Sequence, residues 1–221
     1  MIERNIAATT HGRYLVEPPA HAGAAPMLIG FHGYSESAET QMELLRAISG
    51  SDSWLTVSVQ GLHRFYQRRT NEVIASWMTR QDRELAIADN LAFVAGVVDD
   101  AARQWPVSGT LVFAGFSQGV AMAFRAAANS AHPVAGIIAV GGDIPPEIVP
   151  ERLGQITTAL MCRGATDNWY TSEKLAQDTG RLRAAGVELR ELEFDGGHEW
   201  SEPVVDAASE FLRGLGGVSR R

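Results

Sequence analysis

The 221-residue chain holds one cysteine, Cys162, and that scarcity excludes an internal disulfide. A lone thiol fits a reducing compartment, and its place inside an apolar run predicts a buried, inert side chain. Long apolar runs are also missing. None approaches the ~20 residues of a membrane span, so no stable membrane insertion is expected. The opening Met1-Ile2-Glu3-Arg4-Asn5 lacks the basic-then-apolar pattern of a signal peptide. Together these absences predict a soluble, cytoplasmic protein. Basic residues are in deficit, 19 Lys and Arg against 26 Asp and Glu for a formal charge of −7. That balance argues against nucleic acid as a partner, because a phosphate backbone demands a concentrated basic surface. The local basic clusters, Arg64 to Arg69 and Arg220-Arg221 in an expected frayed tail, both read as a solvated loop face. Histidines and carboxylates show no metal-ligand spacing such as H-E-x-x-H, so no metal is expected. No repeat or low-complexity linker interrupts the chain. One domain over 1–221 is expected, as a monomer or homodimer, and a chain this long can bury a core without staples.

What is present is an alternation of short apolar runs with helix-length amphipathic segments. That pattern predicts an α/β domain with a mostly parallel central sheet and helices on both faces. Asn5–Thr10 and Arg13–Glu17 read as an opening hairpin turned at His11-Gly12. Further strands are expected at Pro26–Phe31, Leu55–Val59, Thr110–Phe116, Val134–Val140, Thr158–Arg163 and Val187–Phe194. Helices are expected at Ala38–Ser49, Arg83–Gln104, Gln118–Ala128, Ser172–Ala185 and Val204–Leu212. Asp82 is placed to cap the long helix that follows it. Gln60–Gln81 carries no clear period and reads as a long loop, a kind of segment that is often functional.

The chemistry centres on Gly115-Phe116-Ser117-Gln118-Gly119, a G-x-S-x-G nucleophile elbow. The apolar Leu111-Val112-Phe113-Ala114 leads into it, and the helical Val120-Ala121-Met122-Ala123-Phe124 leads out. A strand–turn–helix of this kind strains the serine backbone, so the residues two positions either side must lack bulk. The helix starting at the serine directs free N–H groups at a developing anion. Serine at its ordinary acidity needs a base. His198 is the best placed of six histidines, after the last strand in Asp195-Gly196-Gly197-His198. A carboxylate must then fix the imidazole tautomer. Asp167 follows the strand Thr158–Arg163, with Asp143 in Gly141-Gly142-Asp143 as its rival; Asp195 stands too near His198 to reach around the ring. Oxyanion donors are expected from the backbone N–H groups of Gln118 and Tyr34, with His32 ordering the Tyr34 loop by hydrogen bonding.

At these residues the chain resembles the phospholipase/carboxylesterase family of α/β-hydrolases, which includes acyl-protein thioesterases and small bacterial carboxylesterases. The resemblance rests on Phe31-His32-Gly33, the Phe116-Ser117-Gln118 elbow, Arg163-Gly164-Ala165-Thr166-Asp167 and Gly197-His198, spread over nearly the whole chain. It implies the α/β-hydrolase fold and a triad of Ser117, Asp167 and His198 with oxyanion N–H groups at Tyr34 and Gln118. It also implies cofactor-free hydrolysis of a small-molecule carboxylic ester or thioester. Two stretches depart from the family. Tyr34-Ser35-Glu36-Ser37 stands where a Gly-Asp pair is common, and Asn168-Trp169-Tyr170 replaces a usual Val-Pro. Both border the substrate.

Tyr34, Trp77, Trp169, Tyr170 and Trp200 suggest an apolar, bulky-walled pocket, with Trp77, Trp169, Tyr170 and Trp200 as substrate contacts. Gly141–Gln155 is too short for a large cap domain, so any lid must come from Gln60–Gln81. An open site preferring short acyl chains or small aromatic esters is expected. A serine acyltransferase or peptidase on the same fold, and a non-catalytic binding protein, are the other readings. Competing acyl acceptors would separate the first and covalent probe labelling the second.

Overall fold

The computed structural model describes residues 1–48 and 50–216; the Arg220-Arg221 tail and the Ser49 end of the first expected helix lie outside the described residues. Among these residues nine strands alternate with six helices. Strands β1 (Arg13–Glu17), β2 (Ala25–Phe31), β3 (Leu55–Gln60), β6 (Val107–Phe116), β7 (Val134–Val140), β8 (Ile156–Gly164) and β9 (Glu188–Phe194) form one seven-stranded sheet in the order β1-β3-β2-β6-β7-β8-β9. Every neighbouring pair is parallel except β1, which runs antiparallel along β3 with Arg13 opposite Gln60. This is the mostly parallel α/β sheet expected from the alternating pattern, in the α/β-hydrolase arrangement that the resemblance implied.

Alternation along each strand sorts the side chains into two cores, because successive residues face opposite sides of a sheet. Met27, Ile29, Phe31, Leu111 and Phe113 join the cluster on one face, while Leu28, Val112, Ala114 and Phe116 join the other. Helices α2 (Arg83–Gln104), α3 (Gln118–Ala128) and α5 (Ser172–Ala184) supply Val94, Val120 and Leu182 to the first. Helices α1 (Ala38–Ala47) and α6 (Glu202–Gly216) cover the second. In α6 the apolar stripe is Val204, Ala208, Phe211 and Leu212, spaced for one helical face. Val204, Phe211 and Leu212, fully buried, each contribute roughly 1.5–3 kcal/mol relative to exposure. Cys162 faces the second core, fully buried, and burial pushes its thiol up to about 12.

Between β7 and β8 the chain holds only the short helix α4 (Pro150–Leu153), and no large cap domain is built there. No helix among the described residues is long and apolar enough to cross a membrane.

Three expectations are corrected. Asn5–Thr10 forms no strand, and β1 pairs instead with β3, a partner over forty positions away. Gln60–Gln81 is not a structureless loop. It contains a two-stranded hairpin of β4 (His63–Tyr66) and β5 (Val73–Ser76), with Phe65 opposite Ile74. Asp82 precedes α2 but sits at φ 49° and makes no side-chain cap. Its carboxylate accepts instead from the Asn5 side-chain amide at 2.9 Å. Where capping follows the rule, Ser37 and Thr171 accept from Thr40 and Lys174 N–H groups to start α1 and α5.

The order of the strands locates a crevice. From β2 the chain moves outward to β3, then returns to β6 on the other side. Loops leaving β2 and β6 therefore diverge to opposite faces, α1 on one and α3 on the other. Open α/β sheets bind ligands at such switch points, beyond the strand C-termini.

Candidate active site

Ser117 stands at that point, between β6 and α3, at φ 52° and ψ −117°. A non-glycine residue held there costs on the order of 1–3 kcal/mol and persists only when its surroundings over-determine it. They do. The Ser117 N–H donates to the Val140 carbonyl at 2.9 Å. A Cβ on Gly115 would stand 2.5 Å from the Gly119 oxygen and 2.7 Å from the Val120 nitrogen. One on Gly119 would overlap the Phe31 carbonyl oxygen and lie 2.7 Å from that of His32. The two glycines thus let strand, turn and helix approach at backbone distance, and the same contact sets the His32 loop against the first turn of α3.

The histidine and carboxylate arrive from the ends of two further strands. His198 Nε2 lies 2.8 Å from Ser117 Oγ, and its Nδ1 lies 2.8 Å from Asp167 Oδ2. Asp167 Oδ1 accepts from the Trp169 and Tyr170 N–H groups at 2.7 and 3.0 Å. Burial pushes the Asp167 carboxyl upward, but the Tyr170 N–H, the His198 ring and the Trp169 N–H outweigh it and hold it below the usual carboxylate value. An ionised carboxylate there favours the tautomer with Nδ1–H directed at Asp167 and Nε2 free to take the serine proton. Asp143 is exposed on the neighbouring loop and makes no hydrogen bond to the imidazole among the described residues. The structure therefore brings Ser117, His198 and Asp167 together and leaves Asp143 apart.

Gly141, which the motif reading did not single out as part of the site, completes the pocket for the ring. Its φ is 64°, and a Cβ there would stand 3.2 Å from two atoms of the His198 ring and 3.4 Å from Asp167 Oδ2. Phe116 also packs against the imidazole, ring centroids 5.1 Å apart.

The two backbone N–H groups expected to receive an oxyanion are those of Gln118 and Tyr34. Gln118 opens α3, so its N–H has no intrahelical acceptor. Among the described residues neither it nor the Tyr34 N–H donates to the protein. The Tyr34 loop is held on both sides. Gly33 N–H donates to Glu36 Oε2 at 2.7 Å. Ser35, at φ 62°, donates its N–H to Ala75 at 3.0 Å, and Ala75 returns a bond to Glu36 at 2.8 Å. The β4–β5 hairpin thus props the loop. The hairpin's exit is tied to the elbow as well: Gln118 Oε1 accepts from Trp77 N–H at 2.9 Å, and Gln118 Nε2 donates to the Met78 carbonyl at 3.2 Å. Glu36 was invisible as a site residue because its partner is a backbone group.

His32 orders this loop as expected. Its Nδ1 lies 2.7 Å from the Gly33 carbonyl, and Nε2 accepts from the Gly61 N–H at 3.0 Å. Burial lowers its pKa from 6.5 to about 4 against the opposing Gly33 bond, so the native ring is neutral at pH 7. The unfolded chain then binds a proton that the native state refuses across the window from about 6.5 down to about 4. Stability is fully present above that window and falls as the pH drops through it, by about 3 kcal/mol at the low end. Glu36 acts oppositely, since burial raises its carboxyl and the native state protonates first. Urea unfolding at pH 7 and pH 4.5 should therefore show a smaller acid loss in His32→Gln than in the parent. Equal losses would mean that His32 carries none of it.

The cleft beside Ser117 measures about 210 Å³ and is walled by Gln118, Trp169, Tyr170 and His198, among others. Trp169 is 76% exposed at its mouth, whereas Tyr170 is buried, its hydroxyl donating to Asp178 at 3.2 Å. Two expected contacts lie elsewhere. Trp77 is fully buried, its Nε1–H donating to the His32 carbonyl at 2.8 Å and its ring stacked on His32. Trp200 packs against the α6-side core. Both were placed by their loops, and in both the large apolar ring is drawn inward. The wall is also less apolar than expected, since Arg83, Arg125, Asp143 and Lys174 line it.

The chain belongs to the phospholipase/carboxylesterase family, whose sequence profile matches residues 14–215. Membership makes it a hydrolase of the esterase kind. No curated protein matches it in sequence. Among solved structures it is similar to esterase PE8, with a TM-score of 0.72 at 22% identity over 93% of this chain and 100% of that one. It is also similar to Zea mays acyl-protein thioesterase 2, at 0.71 and 18% over 94% and 100% of the chains. The Bacillus cereus carboxylesterase gives 0.70 and 15% over 92% and 94%. These likenesses extend the fold assignment.

Proposed function

We propose that this chain, acting as one cytoplasmic domain, cleaves carboxylic esters or thioesters of small molecules through an acyl-enzyme on Ser117. The observation that carries the reading is the unbroken relay from Ser117 Oγ to His198 Nε2 and from Nδ1 to Asp167, each link 2.8 Å. His198 takes the serine proton as Oγ attacks the carbonyl carbon. The Gln118 and Tyr34 N–H groups receive the negative charge that builds on the carbonyl oxygen, and a removed donor of this kind typically costs 10²–10³ in rate. His198 then returns its proton to the leaving alcohol or thiol. Water, deprotonated by the same ring, releases the acid and restores the serine. Asp167, lowered in pKa and doubly held by backbone, stays ionised throughout and stabilises the imidazolium.

A cleft of about 210 Å³ is smaller than sites that enclose drug-sized ligands, which supports short acyl groups. A fluorophosphonate probe should label the chain once, and peptide mapping should place the adduct on Ser117. Labelling that persists after Ser117→Ala would exclude the assignment.

A further inference from the structure

The chain carries a net charge of −7, yet the charged side chains lining the cleft are three cations, Arg83, Arg125 and Lys174, and one carboxylate, Asp143. Arg125 is the unusual member. It is 2% exposed, although arginine is almost never buried unless fully paired. Its pairing is one-sided. Nε and Nη2 both donate to the same oxygen of Glu147, at 2.8 and 2.6 Å, while among the described residues Nη1 reaches only the Met78 sulfur at 3.8 Å. A thioether is a weak acceptor, so among the described residues one edge of the guanidinium has no oxygen partner. Burial lowers the Arg125 guanidinium from its ordinary value, Glu147 opposes this, and Arg83 adds like-charge repulsion.

The position of Arg125 ties it to the reacting centre. Ser117, Ala121 and Arg125 all line the cleft, at the i, i+4, i+8 spacing of one helical face. Eight residues span ~12 Å along the axis, and a helical side chain leans back toward the N-terminus, here toward Ser117. Met78 touches both ends of the arrangement, its carbonyl accepting from Gln118 Nε2 and its sulfur meeting Arg125 Nη1. Arg83 and Lys174 are exposed at the rim, Lys174 Nζ donating to the Trp169 carbonyl at 2.9 Å.

We propose that this cleft selects esters bearing a carboxylate a few carbons from the scissile bond, received by the open edge of Arg125 with Arg83 and Lys174 adding attraction at the rim. A planar guanidinium matches a carboxylate through paired N–H donors, which a solvated rim lysine alone does not supply. The inference rests on the esterase reading of Ser117 and narrows its substrate class to half-esters of short dicarboxylic acids or esters of short hydroxy acids.

The test compares kcat/KM for matched pairs. Monoethyl glutarate against ethyl pentanoate places the charge on the acyl side; the acetyl ester of 3-hydroxypropanoate against propyl acetate places it on the leaving group. A preference of tenfold or more for the charged member of either pair is expected, and which pair shows it assigns the side. It should be expressed mainly in KM, weaken with added salt, and collapse toward unity in Arg125→Met, with Arg83→Gln and Lys174→Gln each lowering it less. Equal or better use of the neutral member in both pairs overturns the proposal. Because Arg125→Met removes a buried ion pair and can unfold the chain, calorimetric binding of glutarate to the parent protein supplies a second measure, with pentanoate as control. Equal binding of the two acids counts against the proposal. Labelling of Ser117 with no charge preference leaves the esterase reading intact and sinks this one. Glutarate-selective binding without labelling supports the anion site and sinks the esterase reading.

Discussion

Asp167→Asn is expected to lower kcat by about 10⁴-fold while leaving the fold in place. The size follows from what the amide does to the imidazole. In the native site Asp167 Oδ2 lies 2.8 Å from His198 Nδ1, and Oδ1 is held by the Trp169 and Tyr170 N–H groups. Those two N–H donors oblige asparagine to keep its carbonyl oxygen at Oδ1, which turns its NH₂ toward the histidine. Nδ1 must then accept rather than donate, so the proton moves to Nε2, the atom that has to take the serine proton. A wrong tautomer of this kind costs about four orders of magnitude in serine hydrolases with such a relay. Steady-state hydrolysis of a short ester gives kcat, and the urea midpoint checks the fold. A loss smaller than tenfold would remove Asp167 from the relay and return attention to Asp143, whose Asn variant is expected to have little effect on kcat for a neutral ester.

The features legible in the sequence were those whose partners are fixed by local pattern and chain order. Continuous apolar runs such as Ile137-Ile138-Ala139-Val140 announce buried parallel strands, because both sheet faces must be covered. A glycine pair flanking Ser117 announces the elbow because no other residue type fits there. Chain order then brings Asp167 and His198 from the next suitable strand ends. What stayed hidden depends on contacts far apart in sequence. Asn5–Thr10 has the composition for a strand, but β3 offers its edge to Arg13–Glu17. The β4–β5 hairpin has exposed residues along β4 and no buried periodicity to betray it. Its place is set by the Ala75–Glu36 and Trp77–Gln118 bonds. Trp77 reads as a pocket aromatic until His32, a residue from another loop, is seen stacked on it. Arg125 was lost within a helix of small apolar residues, since only the fold reveals that its face opens on the cleft.

Gly119→Ala is expected to lower stability by about 3 kcal/mol or more and to abolish labelling of Ser117, whereas Gly96→Ala should raise stability by about 0.5–1 kcal/mol. Both glycines lie in helices, so propensity alone favours alanine at each. The surroundings reverse the sign at one of them. Around Gly96, on the exposed face of α2, nothing lies within 4 Å of the added methyl group. At Gly119 the methyl group would overlap the Phe31 carbonyl oxygen and approach that of His32 to 2.7 Å. These are backbone atoms at the end of β2, with no rotamer to change, so relief requires α3 to move away from the sheet. That movement would separate the Gln118 N–H from the Tyr34 loop and carry Ser117 away from His198, which hangs from a different strand. Stability and chemistry therefore fail together at Gly119, where most core substitutions would damage only the first. Urea midpoints for the two variants, read beside probe labelling, check the pair. If Gly119→Ala unfolded at the parental midpoint and labelled normally, backbone contact between β2 and α3 would not be what holds the elbow in its strained conformation.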